Sequence, residues 1–173
     1  MRPLRALAAA LSLLAAACAT SGTGRPQEGR LSPAAPPDRP VHVAGKSPAK
    51  TLASWRALIA PYVAKARETY PDAKRRYLAG LPSGETFFVT TILSDPEGRF
   101  EQVFVLVDHI EDGVVTGRIF SDVGTVRGYK ARDVYRFPET DVVDWLISKP
   151  DGSEEGNVVG KFIDGLPSQG GAL

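Results

Sequence analysis

The sequence is poor in the residues that carry most protein chemistry, with one Cys and two His among 173 residues. A single Cys, Cys18, excludes an intramolecular disulfide framework and any Cys-rich zinc or iron–sulfur site. His42 and His109 cannot build a multi-His cage and leave little for acid–base work near neutral pH. No resident metal or cofactor is expected. An excess of one charge is missing too: 21 basic residues stand against 20 acidic ones, a net of +1. Phosphate backbones call for a basic surface, so nucleic acid is not expected as a partner. Long apolar runs are also lacking. The longest, residues 6–17, is broken only by Ser12 and falls short of the ~20 residues that a membrane-spanning helix needs. The length allows one domain with extensions, and a hydrophobic share of 43% argues against global disorder.

What is present begins with a delivery signal. Arg2 and Arg5 precede the apolar run, and small residues lead up to Cys18. A basic start, an apolar stretch and small residues before a processing point form a secretory signal, here residues 1–17. Leu13-Leu14-Ala15-Ala16-Ala17-Cys18 resembles the lipobox of bacterial lipoproteins, with Ala15 where Leu is usual and Leu14 one place further out. The resemblance implies that Cys18 is acylated and becomes the first residue after cleavage; a plain cleaved signal after Ala17 or Ala19 is the alternative. Acyl chains would tie the protein to a lipid bilayer at about 0.8 kcal/mol per buried methylene. Ala19 stands where such lipoproteins carry Asp for inner-membrane retention. The implied address is therefore the periplasmic face of the outer membrane.

Residues 18–50 read as the lipidated Cys and a disordered tether, with Pro26, Pro33, Pro36, Pro37, Pro40 and Pro48. Leu31, Val41 and Val43 are the only large apolar side chains there, too few to fold around. Such a tether spans roughly 30 Å as a coil and about 100 Å when extended. Charge is split along the chain: residues 18–81 carry +7 and residues 82–173 carry −8. The basic part either meets acidic headgroups or polymers, or complements the acidic part within the fold. The second is the favoured expectation.

The folded part is expected over residues 51–165, with a flexible tail over 166–173. Leu52, Trp55, Leu58, Ile59, Tyr62, Val63 and Ala66 recur at helical spacing, and Trp55 is read as core. Pro61 and Pro71 fit the first turns of new helices, so three short helices are predicted near 51–59, 61–69 and 71–79, closed by Gly80. From Gly84 the period becomes two. Strands are predicted at 86–93, 100–110, 114–121, 133–137, 142–148 and 158–163. Tight turns separate several of them, at Asp95-Pro96-Glu97-Gly98, Glu111-Asp112-Gly113 and Lys149-Pro150-Asp151-Gly152. Gly117 within a strand signals a bulge or a close backbone approach. The expected fold is α+β, with N-terminal helices packed on a small antiparallel sheet or open barrel of about five to six strands.

Four stretches carry a family resemblance over about residues 55–165. They are Ala64-Lys65-Ala66-Arg67-Glu68-Thr69, Glu101-Gln102-Val103-Phe104-Val105, Asp112-Gly113-Val114-Val115-Thr116-Gly117-Arg118-Ile119, and Val143-Asp144-Trp145-Leu146-Ile147 with Asp151-Gly152 and Gly156 or Gly160 behind it. Together they resemble the YegJ-like family of bacterial proteins, a domain-of-unknown-function family. Gln102 and Phe104 depart from the His and Trp of that pattern. The resemblance implies the fold and no activity.

Catalytic signatures are scarce. No G-x-S-x-G elbow, H-E-x-x-H, P-loop or dinucleotide glycine fingerprint occurs. His109 with Asp108 and Ser94 or Ser121 is a poor triad candidate, since nothing in the spacing demands it. The acidic run from Asp151 to Asn157 lacks the order of a calcium loop and reads as a solvated turn. Glu101 and Asp144, carboxylates within apolar strands, and Trp145 beside them are the candidate binding residues. The two carboxylates suit an acid pair or polar binding spot, solvent-facing positions, or hydrogen bonds to turn amides. Two functions follow as expectations. One is an envelope lipoprotein binding another envelope protein or polymer without catalysis. The alternative is a periplasmic hydrolase, which needs Glu101 and Asp144 within roughly 10 Å beside a pocket.

Overall fold

The strands Thr86–Ser94, Phe100–Glu111 and Asp144–Ser148 carry large apolar residues at both odd and even positions, so both faces of the sheet they form must be covered. The structure is a computed structural model that describes Gly29, residues 31–33 and residues 48–166. The expected signal, Cys18, most of the tether and the tail from residue 167 lie outside the described residues. The elements are α1 (Pro48–Ala79), β1 (Thr86–Ser94), β2 (Phe100–Glu111), β3 (Val114–Ile119), β4 (Val134–Pro138), β5 (Asp144–Ser148), β6 (Glu154–Gly156) and α2 (Val158–Asp164). The strands form one open six-stranded sheet in the order β4-β3-β2-β1-β5-β6, every pair antiparallel. The fold is α+β, as the change of period implies.

Turn chemistry sets the register. The Gly98 N–H donates to the Asp95 carbonyl at 2.9 Å. Asp112 and Gly113 both take positive φ (49° and 72°), the backbone that a two-residue hairpin needs. Gly117 answers both expectations: a Cβ there would overlap the Leu106 carbonyl oxygen, and the register of β2 against β3 shifts between Val107 and His109.

Two expectations need correction. The three short helices are one, α1, which runs through Pro61 and Pro71. Each proline removes one hydrogen bond, to the carbonyls of Ala57 and Arg67. Both prolines and both of those residues are exposed, so the freed carbonyls belong to the solvent side of the helix. The buried stripe is Thr51, Trp55, Ile59, Ala66, Tyr70 and Ala73, whereas Leu58 from the expected stripe is 41% exposed. The strand predicted over 158–163 is the helix α2 instead. Asn157 takes the left-handed conformation (φ 55°) and turns the chain, and the Asp144 carboxylate then accepts from the first α2 amides. Those tertiary bonds outweigh the β-propensity of two valines.

One face of the sheet packs on α1. Phe87, Val89, Leu93, Val103, Val105, Val115, Trp145 and Ile147 meet Ala66, Tyr70 and Ala73 there. Burying each large apolar side chain contributes about 1.5–3 kcal/mol. Only residues 139–143 join β4 to β5, although three strands lie between them in the sheet. Part of that link is a 3-10 turn, Glu139–Asp141. Four strand spacings in a flat sheet come to about 19 Å, nearly the whole reach of so short a link. The sheet is therefore curled toward α1. The link crosses that concave side, with the Thr91 hydroxyl donating to the Asp141 carbonyl at 3.0 Å.

Part of the charge split is met within the described residues. Lys74 pairs with Glu139 at 2.7 Å, and Arg76 with Glu155 at 2.6 Å. Hydrogen bonds from Arg76 and Lys149 hold the Glu155 carboxyl down at about 2. Arg67 donates to the carbonyls of Thr140 and Val142 at 2.8 and 3.2 Å. The basic helix thus complements the acidic sheet, although such half-exposed pairs orient more than they stabilise.

Candidate functional site

The three candidate residues of the folded part are buried, and backbone geometry explains all of them. Glu101 is 5% exposed near the start of β2. Its carboxylate accepts from the N–H groups of Gly124 (3.2 Å to either oxygen), Thr125 (2.9 Å) and Val126 (3.3 Å). Three successive amides converging on one anion form a nest, and here the anion is the protein's own. Glu101 therefore latches the loop between β3 and β4 onto the sheet. Asp95 does the same at the loop's far side, accepting from the Arg127 N–H at 3.1 Å and the Arg99 Nε at 2.7 Å. Burial pushes the Asp95 carboxyl up, but those hydrogen bonds outweigh it and hold it at about 2. The sequence offered no sign of Asp95 beyond its place in a turn.

Asp144 opens β5 and is 1% exposed. One oxygen accepts from the Trp145 N–H at 2.8 Å; the other accepts from Val159 at 2.6 Å and Gly160 at 3.4 Å. It therefore caps α2, where unsatisfied amides and the helix dipole favour an anion. Burial nevertheless pushes its carboxyl from 3.8 to about 6, with the backbone amides pulling the other way. Trp145 points to α1, its indole N–H shared between the Ala66 carbonyl and the Thr69 hydroxyl, each at 3.1 Å. That is a sheet-to-helix contact.

Glu101 and Asp144 do not form a pair. Glu101 stands opposite Leu93 on β1, and Asp144 stands opposite Thr90. Directly opposed residues share a sheet face, while positions three apart on one strand do not. The two carboxyls project from opposite faces. The triad candidate also separates: Ser121 accepts from the Phe104 N–H at 2.7 Å, and His109 lies five residues further along β2, about 16 Å away. The acidic groups in residues 151–157 have separate partners, Asp151 with Ser153, Glu154 with Asn157 and Lys161, and Glu155 with Arg76 and Lys149. Among the described residues no cluster of His, Cys, Asp or Glu could hold a metal ion, and no helix is long and apolar enough to cross a membrane.

The remaining surface of interest is the convex face. Phe88, Phe104 and Leu146 form a second apolar cluster there, with Leu106 packed against it. Phe120 meets Phe88 edge-on at 5.0 Å and stays 37% exposed. No helix covers this cluster. Leu31, from the expected tether, lies on it instead, and Ser32 donates its hydroxyl to the Gly152 carbonyl. At these residues the tether is packed rather than solvated. Its signal in the sequence was Leu31 itself, a large apolar residue in a tract that otherwise has almost none.

No protein-family model matches this chain, and no curated protein or solved structure matches it. The resemblance to YegJ-like proteins thus brings no residue role beyond what the chain's own geometry supplies.

Proposed function

We propose that the chain is a lipid-anchored binding module of the bacterial envelope. Acylated Cys18 holds it at the periplasmic face of the outer membrane, and its sheet engages an envelope protein or polymer without catalysis. The observation that carries this reading is the convex face, where the buried cluster of Phe88, Phe104 and Leu146 is covered by the short segment around Leu31, and Phe120 at its rim stays 37% exposed. Were the Leu31 segment to lift, it would open a contiguous apolar surface of the kind that marks interaction sites. The commitment of Glu101 and Asp144 to backbone amides supports the same reading, since their carboxylate oxygens are engaged inside the protein rather than turned to a substrate.

A photoreactive phenylalanine analogue at position 120, compared with one at the exposed Leu78 of α1, tests it in intact cells. Crosslinks from position 120 and none from position 78 are expected. Crosslinks from position 78 alone, or from neither position, would overturn the assignment of the convex face.

A further inference from the structure

The strip of chain lying on the convex face shows what that face accepts. Leu31 packs on Phe88, Phe104, Leu106 and Leu146. Two residues before it, Gly29 sits so close to Leu106 that a Cβ would approach the Leu106 methyls to 2.7 Å. On its other side the Ser32 hydroxyl donates to the Gly152 carbonyl, and Pro33 lies over Gly152. The footprint therefore has three parts: a close backbone approach over Leu106, an apolar seat, and a carbonyl handle followed by a surface for a proline ring. Gly152 keeps that carbonyl presented by holding a positive φ of 85° at the tip of the β5–β6 turn. A carbonyl acceptor set beside the apolar seat selects a peptide with a hydroxyl over a bare hydrocarbon chain.

We propose that the convex face is a docking groove for an extended segment of a partner protein. That segment carries an apolar residue followed by a hydroxyl residue and a proline, and Leu31 is its resident competitor in cis. The inference rests on the binding-module reading and adds the chemistry of the partner. Only residues 34–47 separate Pro33 from the start of α1, so the resident segment returns to the groove at a high effective concentration. A partner binds when its segment displaces Leu31, and the free groove fraction scales its apparent affinity. Release also lengthens the chain between Cys18 and the domain, because the segment near Gly29 no longer pins it.

The test uses the purified full chain and a fluorescent peptide spanning residues 27–36, read by anisotropy. The Leu31→Ala chain, whose own segment has lost its anchor, should bind the peptide at least about tenfold more tightly than wild type. A peptide carrying Leu31→Asp should bind neither. Adding Phe120→Ser at the rim of the groove to the Leu31→Ala chain should weaken peptide binding again, with the far-UV spectrum unchanged. Equal binding to wild type and Leu31→Ala, or no binding to Leu31→Ala and none to a Leu31→Asp chain, would overturn the proposal. Loss of a wild-type dimer in Leu31→Ala without peptide binding would assign the groove to a second copy and overturn it as well. Membrane attachment plays no part in the assay, so its failure is separable from failure of the anchored-module reading.

Discussion

Replacing Asp144 with Asn isolates a buried carboxyl that the fold holds above its ordinary value. Burial raises Asp144 from 3.8 to about 6, against the pull of four backbone amides. The native state therefore binds its proton more tightly than the unfolded chain does. Such a group contributes stability that is fully present below the unfolded value and is lost as pH rises through the folded one. A shift of this size corresponds to about 3 kcal/mol, most of it lost between pH 4 and 7. The amide introduced by Asp144→Asn keeps the shape and one acceptor oxygen but does not titrate. In urea denaturation from pH 4 to 7.5, the stability of wild type relative to Asp144→Asn should fall by about 2–3 kcal/mol. With a slope of roughly 1.5 kcal/mol per M, that is a change of about 1.5 M in the midpoint difference. A constant difference across the window would refute the buried titration. A difference that grows in favour of wild type as pH rises would show that the α2 amides, rather than burial, dominate.

Two further substitutions probe the remaining candidates. Glu101→Ala orphans the amides of Gly124, Thr125 and Val126 and should cost about 3 kcal/mol in urea denaturation. Hydrogen exchange at those three amides should quicken while the strand amides of β1 and β5 keep their protection relative to global stability. Trp145→Phe keeps the ring in the core and deletes the indole donor to Ala66 and Thr69, so it should cost about 1 kcal/mol. Crosslinking from position 120 in cells should survive Trp145→Phe, because that side chain serves the opposite face of the sheet.

Much of this fold was legible because its signals are local. The β-branched and aromatic run of β1, the glycines at positions 98, 113 and 152, and the stop at Gly80 each act within a few residues. The misread elements depend on distant partners. Pro61 and Pro71 break a helix only where the lost hydrogen bonds are costly, and on the exposed side of α1 they are not. Val158 and Val159 favour a strand until Asp144, fourteen and fifteen residues earlier, supplies an anion to the amides of α2. The candidate site shows the same divide. Two carboxylates within apolar strands were visible in the sequence, and turn amides were among their possible partners. Which face each occupies is set by the register of β1 against β2 and β5, a long-range property. Phe104 and Leu106 alternate with the valines of β2 and so take the other face, whereas the seat of Leu31 upon them is a long-range contact that no local pattern marks.

The proposed membrane address rests on acylation of Cys18. Intact mass measurement of the membrane-fraction protein, wild type beside Cys18→Ser, tests that most directly. Wild type should begin at Cys18 and carry the added mass of its acyl chains, while Cys18→Ser should lose both the added mass and the membrane association. An identical pair, in mass beyond the substitution and in partitioning, would contradict the account.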